Sequence, residues 1–405
     1  MHILFIHRNF PAQFGHIASY LIQQKGYKCT FVSETPPGRV GGIYKIQYEV
    51  KGGATRRTHY SARTFENGVW HADAVYKALK PLKERVRPDL IVGHSGFGST
   101  LFLHELYPGV PVINLFEYFY RSEGADLGFR PEFPVAEADR LRSLARNAMI
   151  MLDLEYCTAG YAPTRFQHDC FPRTYHPKLR VLHDGIPTDF WRRHRTEALT
   201  LGDLAIQPGT RVVTYVSRGF ESMRGFDIFM QVAQRLCDRR KDVMVVVIGT
   251  DRVCYGGDLK YIKEDSFKAH VLNNGRYDLD RIRFVGRLEP KALVRMLSRS
   301  DLHLYLTVPF VLSWSVLDAM ACECTMLCSD TAPVREVIRH EQNGLLCDFY
   351  DVDGFTETAL AVLDDPQTYH AHLGRAARAT IEQNYSMETI MPQMVQFYEE
   401  VAGRS

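Results

Sequence analysis

The feature that most constrains this chain is a repeated alternation of short apolar runs with longer amphipathic stretches, interrupted once near its middle. Runs at 2–7, 28–33, 43–50, 89–94, 111–116, 159–163 and 178–183 read as strands, several apolar on both faces as buried parallel strands are. Amphipathic segments near 15–25, 66–86, 98–106, 134–155 and 164–171 read as the helices between them. Residues 187–209 break the pattern with Pro187, the basic cluster Arg192, Arg193 and Arg195, and the turn Pro208-Gly209, which reads as a connection between domains. A second series follows, with strands near 211–217, 243–249, 281–286, 302–307, 325–329 and 344–348. Its helices fall near 225–239, 258–274, 290–299, 314–322, 333–340 and 353–364, and two amphipathic stretches, 366–383 and 387–402, close the chain.

At 405 residues the chain exceeds what one core supports. The alternation therefore predicts an α/β protein of two Rossmann-like, doubly wound parallel-sheet domains facing a cleft, over 1–190 and 206–383, with the helix at 387–405 packing back on the first domain. Such sheets bind ligands at the carboxyl ends of their strands.

A formal charge of +2 gives no reason to expect nucleic acid. The local cluster Lys77, Lys80, Lys83, Arg85 and Arg87 reads as a solvated helix face or as a peripheral contact with an anionic membrane surface. No run reaches the ~20 apolar residues of a membrane helix, and because the chain opens directly on the run His2 to His7 no signal peptide is expected. Nine scattered cysteines suit reduced thiols and a cytoplasmic protein. Cys322, Cys324 and Cys328 lack a fourth ligand nearby and read as small buried apolar residues, and Asp351-Val352-Asp353 reads as a helix cap, so no metal is expected.

Two segments point to chemistry. In Ser217-Arg218-Gly219-Phe220-Glu221-Ser222-Met223-Arg224-Gly225, a strand-to-helix turn carries Arg218 and Arg224, two permanent cations able to fork onto a pyrophosphate. The bland reading of the pair is two surface arginines. In Pro309 to Met320, a helix beginning near Ser313 or Trp314 would turn its positive end on an anion, with Phe310, Val311 and Leu312 in the loop before it. Asp318, one turn on, suits the paired hydroxyls of a ribose. On the first domain, Glu117 follows a strand in Phe116-Glu117-Tyr118, and His94 follows another in Gly93-His94-Ser95-Gly96. Each equally fits a structural part, in a surface ion pair or a simple turn. Arg121 and Glu123 lie in the polar stretch beyond Glu117, and His16 follows Gly15 at a helix start, where glycine lets a phosphate approach the backbone.

The order Arg218-Gly219, Arg224-Gly225, Gly249, Phe284-Val285-Gly286, Asp318-Ala319-Met320-Ala321, Ser329-Asp330, Glu336-Val337 and Asn343-Gly344-Leu345 resembles the carboxyl half of glycosyltransferase family 4. Gly15 and Asp184-Gly185-Ile186 fit that family's first half. The resemblance implies the GT-B fold and retaining transfer of a sugar from a nucleoside-diphosphate sugar to a glycan, lipid-linked or other hydroxyl acceptor, without a cofactor. It places the phosphate contacts on Arg218 and Arg224 and the donor site along Gly15, Gly219, Gly249, Phe310, Val311, Leu312, Ser313, Trp314 and Asp318. Glu117 would position the acceptor or stabilise charge at the anomeric centre, beside His16, His94, Arg121 and Glu123. The family carries two glutamates eight residues apart; here Asp318 stands at the second and Phe310 at the first. That exchange leaves two rivals open: a donor-binding protein without turnover, and an epimerase or hydrolase of sugar nucleotides.

Overall fold

A computed structural model describes every residue except 37, 39, 195–197, 404 and 405. Its contacts divide the chain into two compact units: Met1–Leu127, Val135–Gly185 and Met387–Ser405 in the first, Gly128–Pro134 and Ile186–Ser386 in the second.

The first unit is built on strands β1 (His2–Ile6), β2 (Lys28–Ser33), β3 (Ile43–Gln47), β4 (Leu90–His94), β5 (Val112–Leu115), β6 (Ala159–Ala162) and β7 (Leu179–Val181). They form one parallel sheet in the order β3-β2-β1-β4-β5-β6-β7. All residues of β1, β4 and β5 are buried, as strands covered on both faces require. Helices α1 (Gly15–Lys25), α2 (Arg63–Leu79), α3 (Leu103–Leu106), α4 (Glu137–Tyr156) and α5 (Arg165–Cys170) connect them. The sheet reverses its winding between β1 and β4, so His7 and His94 come together at the switch point.

A hairpin of β8 (Leu199–Leu201) and β9 (Leu204–Ile206) opens the second unit. From sequence alone this stretch reads as plain connection. Its strands bury Leu199, Leu204 and Ile206 against Val212 and Val246, too short an alternation to stand out. Arg195, assigned to the same connection, lies outside the described residues. Six strands follow: β10 (Arg211–Val216), β11 (Val243–Ile248), β12 (Ile282–Gly286), β13 (Leu302–Tyr305), β14 (Met326–Ser329) and β15 (Leu345–Cys347), in the parallel order β12-β11-β10-β13-β14-β15. Helices α6 (Phe226–Arg239), α7 (Phe267–Asn273), α8 (Pro290–Arg299), α9 (Trp314–Ala321), α10 (Ala332–Arg335), α11 (Val352–Asp364), α12 (Pro366–Tyr369) and α13 (Arg375–Asn384) complete it. Here the switch point lies between β10 and β13, and the chain beyond these strands is Ser217-Arg218 and Leu306-Thr307.

The last helix, α14 (Met387–Val401), belongs to the first unit and buries Met391, Met394, Phe397 and Tyr398 with Ile3, Phe5 and Phe14. No helix among the described residues is long and apolar enough to cross a membrane. All nine cysteines are free, and Cys322, Cys324 and Cys328 are buried. The Asp351 carboxylate caps α11 by accepting from the Gly354 N–H at 2.8 Å.

Two expected helices are shorter than their apolar spacing suggested. The segment 98–106 is helical only over α3, because Gly98 takes a φ of +75° and lies so close to Gly68 that a Cβ would meet its carbonyl oxygen at 2.0 Å. The segment 258–274 is α-helical only from Phe267, where the Ser266 hydroxyl caps α7 by accepting from the Ala269 N–H at 3.1 Å.

Candidate functional site

In the second unit, Ser217, Arg218, Arg224, Tyr255, Tyr305 and Ser313 line one small pocket at the β10/β13 switch point. The two arginines differ in how they are held. Arg218 is exposed at the end of the turn, where its carbonyl accepts from Thr250 Oγ1 at 2.6 Å. Arg224 is buried, and its Nη1 donates to Thr307 Oγ1 at 2.7 Å and Tyr305 Oη at 3.3 Å, while Nη2 donates to the Val311 carbonyl at 3.1 Å. Its guanidinium carbon also lies 5.3 Å from the Tyr255 ring centre and 5.8 Å from that of Phe310. Both arginines line the pocket, but they are not held alike. Much of Arg224 is spent on fixing the loop before α9, because its partners converge from β13 and from that loop.

The start of α9 is also less bare than its sequence suggested. The Ser313 N–H donates to Tyr305 Oη at 2.9 Å, and the Ser315 N–H donates to Ser313 Oγ at 3.3 Å. Trp314, the first residue of the helix, is exposed, whereas Leu312 is packed in the core with Val316 and Leu317. Phe310 is buried with its ring centre 5.5 Å from that of Tyr255, so an aromatic pair occupies the loop where the resemblance expects a sugar-contacting carboxylate. Asp318 is half-buried on α9, and no hydrogen bond or ion pair among the described residues reaches its carboxylate. Burial holds it well above its ordinary value of 3.8.

Three glycines assigned to donor approach have reasons closer to hand. A Cβ at Gly219 would meet the Arg252 carbonyl oxygen at 2.4 Å, and one at Gly249 would meet that of Ser217 at 2.0 Å. A Cβ at Gly15 would meet Pro11 Cγ at 2.8 Å. The space at each is taken by this chain itself. Behind the pocket, Glu221 is fully buried, and its Oε2 accepts three successive N–H groups, from Cys254, Tyr255 and Gly256, at 2.9, 2.8 and 3.0 Å. This carboxylate sets the loop that carries Tyr255.

In the first unit, His7, His94 and Glu117 meet beyond β1, β4 and β5. His94 Nε2 lies 3.4 Å from Glu117 Oε2, and its Nδ1 lies 2.9 Å from the Ser95 carbonyl oxygen, to which it donates. Gln13 Nε2 donates to Glu117 Oε1 at 2.8 Å, and Gln167 Nε2 donates to the Glu117 carbonyl at 2.7 Å. Burial opposes charge on both His94 and Glu117, but their mutual attraction prevails, so His94 is held above 6.5 and Glu117 below 4.5. His7, with its ring centre 5.2 Å from that of His94, is pushed down to about 3 by burial and by the His94 charge. A charged pair thus sits beside a neutral imidazole.

His16 is half-buried, and burial lowers it. Arg121 and Glu123 do not join this cluster. Arg121 Nη2 donates to the Asp169 and Cys170 carbonyls, each at 3.0 Å, and exposed Glu123 pairs with Arg140 at 3.0 Å. No sequence motif marks His7, Gln13, Tyr255 or Tyr305 as a site residue. His7 carried a signal, since it ends a strand as His94 does; Tyr255 carried none.

Two family models match the chain: "Glycosyl transferase family 4 group" over residues 25–191 and "Glycosyl transferases group 1" over residues 201–380. Over 122 residues the chain is 30% identical to N-acetyl-alpha-D-glucosaminyl L-malate synthase of Bacillus anthracis, covering 30% of this chain and 31% of that protein. Over 253 residues it is 22% identical to phosphatidyl-myo-inositol mannosyltransferase of Mycolicibacterium smegmatis, covering 57% and 60%. The matched region thus spans about a third and three-fifths of these relatives. Among solved structures, sucrose-phosphate synthase from Thermosynechococcus elongatus shares the fold with a TM-score of 0.73 at 16% identity, covering 100% of both chains. Anabaena HepE in complex with UDP-glucose does so with a TM-score of 0.68 at 14% identity, covering 99% of this chain and 100% of that one.

Proposed function

We propose that this chain, which belongs to the family 4-type glycosyltransferases, transfers a sugar from a nucleoside-diphosphate sugar to a hydroxyl of a glycan or lipid-linked acceptor with retained configuration. The observation that carries the reading is that Arg218, Arg224 and Ser313, at the cap of α9, line one pocket at a switch point. As the glycosidic bond breaks, the departing diphosphate gains negative charge. Fixed cations and N–H groups aimed at it lower the barrier, typically by ~3–4 kcal/mol per well-placed donor. In this reading Arg218 contacts the diphosphate, Arg224 holds the Val311 carbonyl and the loop before α9, and Asp318 accepts the ribose hydroxyls. No bound metal is required by it. The UDP-glucose complex of HepE, a protein of the same fold, supports a nucleotide-sugar donor.

On the acceptor side, the Glu117–His94 pair holds a carboxylate charged at neutral pH, suited to orienting a hydroxyl or stabilising positive charge at the anomeric carbon. The lipid named in the Mycolicibacterium relative is consistent with a lipid-linked acceptor and with a cytoplasmic protein that meets the membrane peripherally.

One observation favours a second reading. Phe310 removes a carboxylate that the family resemblance expects, which suits a protein that binds donor without turning it over. A panel of nucleoside-diphosphate sugars, screened by thermal shift and then by release of the nucleoside diphosphate with and without acceptors, separates these. Acceptor-dependent release supports transfer. Acceptor-independent consumption supports hydrolysis or epimerisation, and binding alone supports the second reading.

A further inference from the structure

Apart from both clusters above, the first unit brings His168, Asp169 and His176 together. One ligating atom of each lies within 4.8 Å of one from each of the others, and no other group of three or more His, Cys, Asp or Glu among the described residues does so. The local sequence accounts for this. His168 and Asp169 are consecutive near the end of α5, Pro172 follows the helix, and a 3-10 turn over Arg173–Lys178 carries His176 back. The two imidazole ring centres are 4.3 Å apart, with the planes tilted by 48°.

A hydrogen bond sets the tautomer of His176. Its Nε2 lies 3.0 Å from the Phe171 carbonyl oxygen, so it carries the proton and Nδ1 keeps a lone pair. His168 Nδ1 lies 2.7 Å from Asp169 Oδ1, so the two atoms share a proton that an ion ligated by both would displace. A neutral imidazole with its other nitrogen anchored to a carbonyl, as in His176, is what a metal ion binds. Asp169 is exposed, and Arg121 binds the backbone carbonyls of Asp169 and Cys170 rather than the carboxylate.

We infer that His168, Asp169 and His176 form a binding site for a divalent transition-metal ion of the zinc type. Two imidazoles and one carboxylate select such an ion over magnesium or calcium, which take oxygen ligands. Bonds of about 2.0–2.1 Å require the ligand atoms to draw together, and rotation of the exposed Asp169 and half-buried His176 side chains supplies that movement. Three protein ligands leave coordination positions for water. The site rests on these residues alone and not on the proposed transfer reaction.

The test is a zinc titration of the full chain after treatment with a chelator, read by calorimetry and by Tm. One equivalent of zinc should bind and raise Tm, while magnesium at the same concentration should not. Asp169→Asn and His176→Ala should each weaken zinc at least ten-fold while leaving the metal-free Tm and circular dichroism near wild type. Asp169 is exposed, so its variant keeps the test decisive if His176→Ala folds poorly. Cobalt substituted for zinc should show visible bands without thiolate charge transfer, because the free cysteines take no part. Absence of saturable binding, unchanged affinity in Asp169→Asn, or a thiolate spectrum would overturn the site.

Discussion

Arg224 donates through Nη1 to the hydroxyl of Thr307 at 2.7 Å, tying the turn after β10 to the residue chain beyond β13 at the switch point of the second sheet. This bond separates two arginines that look alike in sequence. Arg218→Ala removes an exposed side chain and should change stability by no more than about 0.5 kcal/mol, while lowering transfer roughly 100-fold. Arg224→Ala should also lower transfer, but it takes this donor from the Thr307 hydroxyl and the buried-side Val311 carbonyl and should cost about 3 kcal/mol of stability. Urea unfolding beside a nucleotide-release assay measures both. Equal stability losses would refute the division of labour.

Asp318 predicts a trade between stability and binding. Burial raises its midpoint in the folded state above 3.8, so the folded protein holds that proton more tightly than the unfolded chain. The stability this gives is present below 3.8 and is lost as pH rises through the folded midpoint. Asp318→Asn should therefore raise Tm at pH 7 to 8 and leave it unchanged near pH 3.5, while weakening nucleotide binding at least ten-fold. A lower Tm at pH 8 would show that the carboxylate has a stabilising partner.

The His94–Glu117 pair has a pH window. His94 is raised above 6.5, so its contribution is full below 6.5 and is lost as pH climbs through its folded midpoint. Glu117 is lowered below 4.5, so its contribution holds above 4.5 and is lost as pH falls through its folded midpoint. The pair should stabilise the protein most between these values. In Glu117→Gln, burial of His94 is opposed only by the Ser95 carbonyl and by Asp184, and its NMR titration should move below 6.5. A midpoint that stays above 6.5 would assign the shift to another group.

Glu221 is the anchor of the loop that carries Tyr255. Its Oε2 accepts from Cys254, Tyr255 and Gly256, so Glu221→Ala leaves three buried-side N–H groups without an acceptor. The loss should be about 3 kcal/mol, and tryptic cleavage should begin at Arg252, Lys260 or Lys263 before the rest of the fold yields. First cleavage elsewhere would show that the loop is held by other contacts.

The β-strands of both sheets were legible because parallel strands buried on two faces appear as unbroken apolar runs, Val243–Ile248 most plainly. The hairpin at 199–206 was not, since each strand has three residues and only the burial of Leu199, Leu204 and Ile206 reveals it. The stretch before α7 reads as helix from its apolar spacing, whereas the chain makes only a 3-10 turn over Asp258–Lys260 and starts α7 at the Ser266 cap. Residue types alone placed Arg218, Arg224, Asp318, His94 and Glu117 beside carboxyl strand ends or on the helix nearby. They gave no sign that Arg224 would be consumed by Tyr305, Thr307 and Val311, or that Arg121 would turn to the end of α5. Those outcomes depend on distances between segments that only the folded chain sets.

In the proposed function, the pocket lined by Arg218, Arg224 and Ser313 holds a diphosphate. Calorimetry with matched pairs, UDP against UMP, GDP against GMP and ADP against AMP, tests it on the wild type and on Arg218→Ala. At least one diphosphate should bind ten-fold or more tightly than its monophosphate, and Arg218→Ala should abolish the difference. Equal affinity within every pair, or a preference that survives Arg218→Ala, would contradict it.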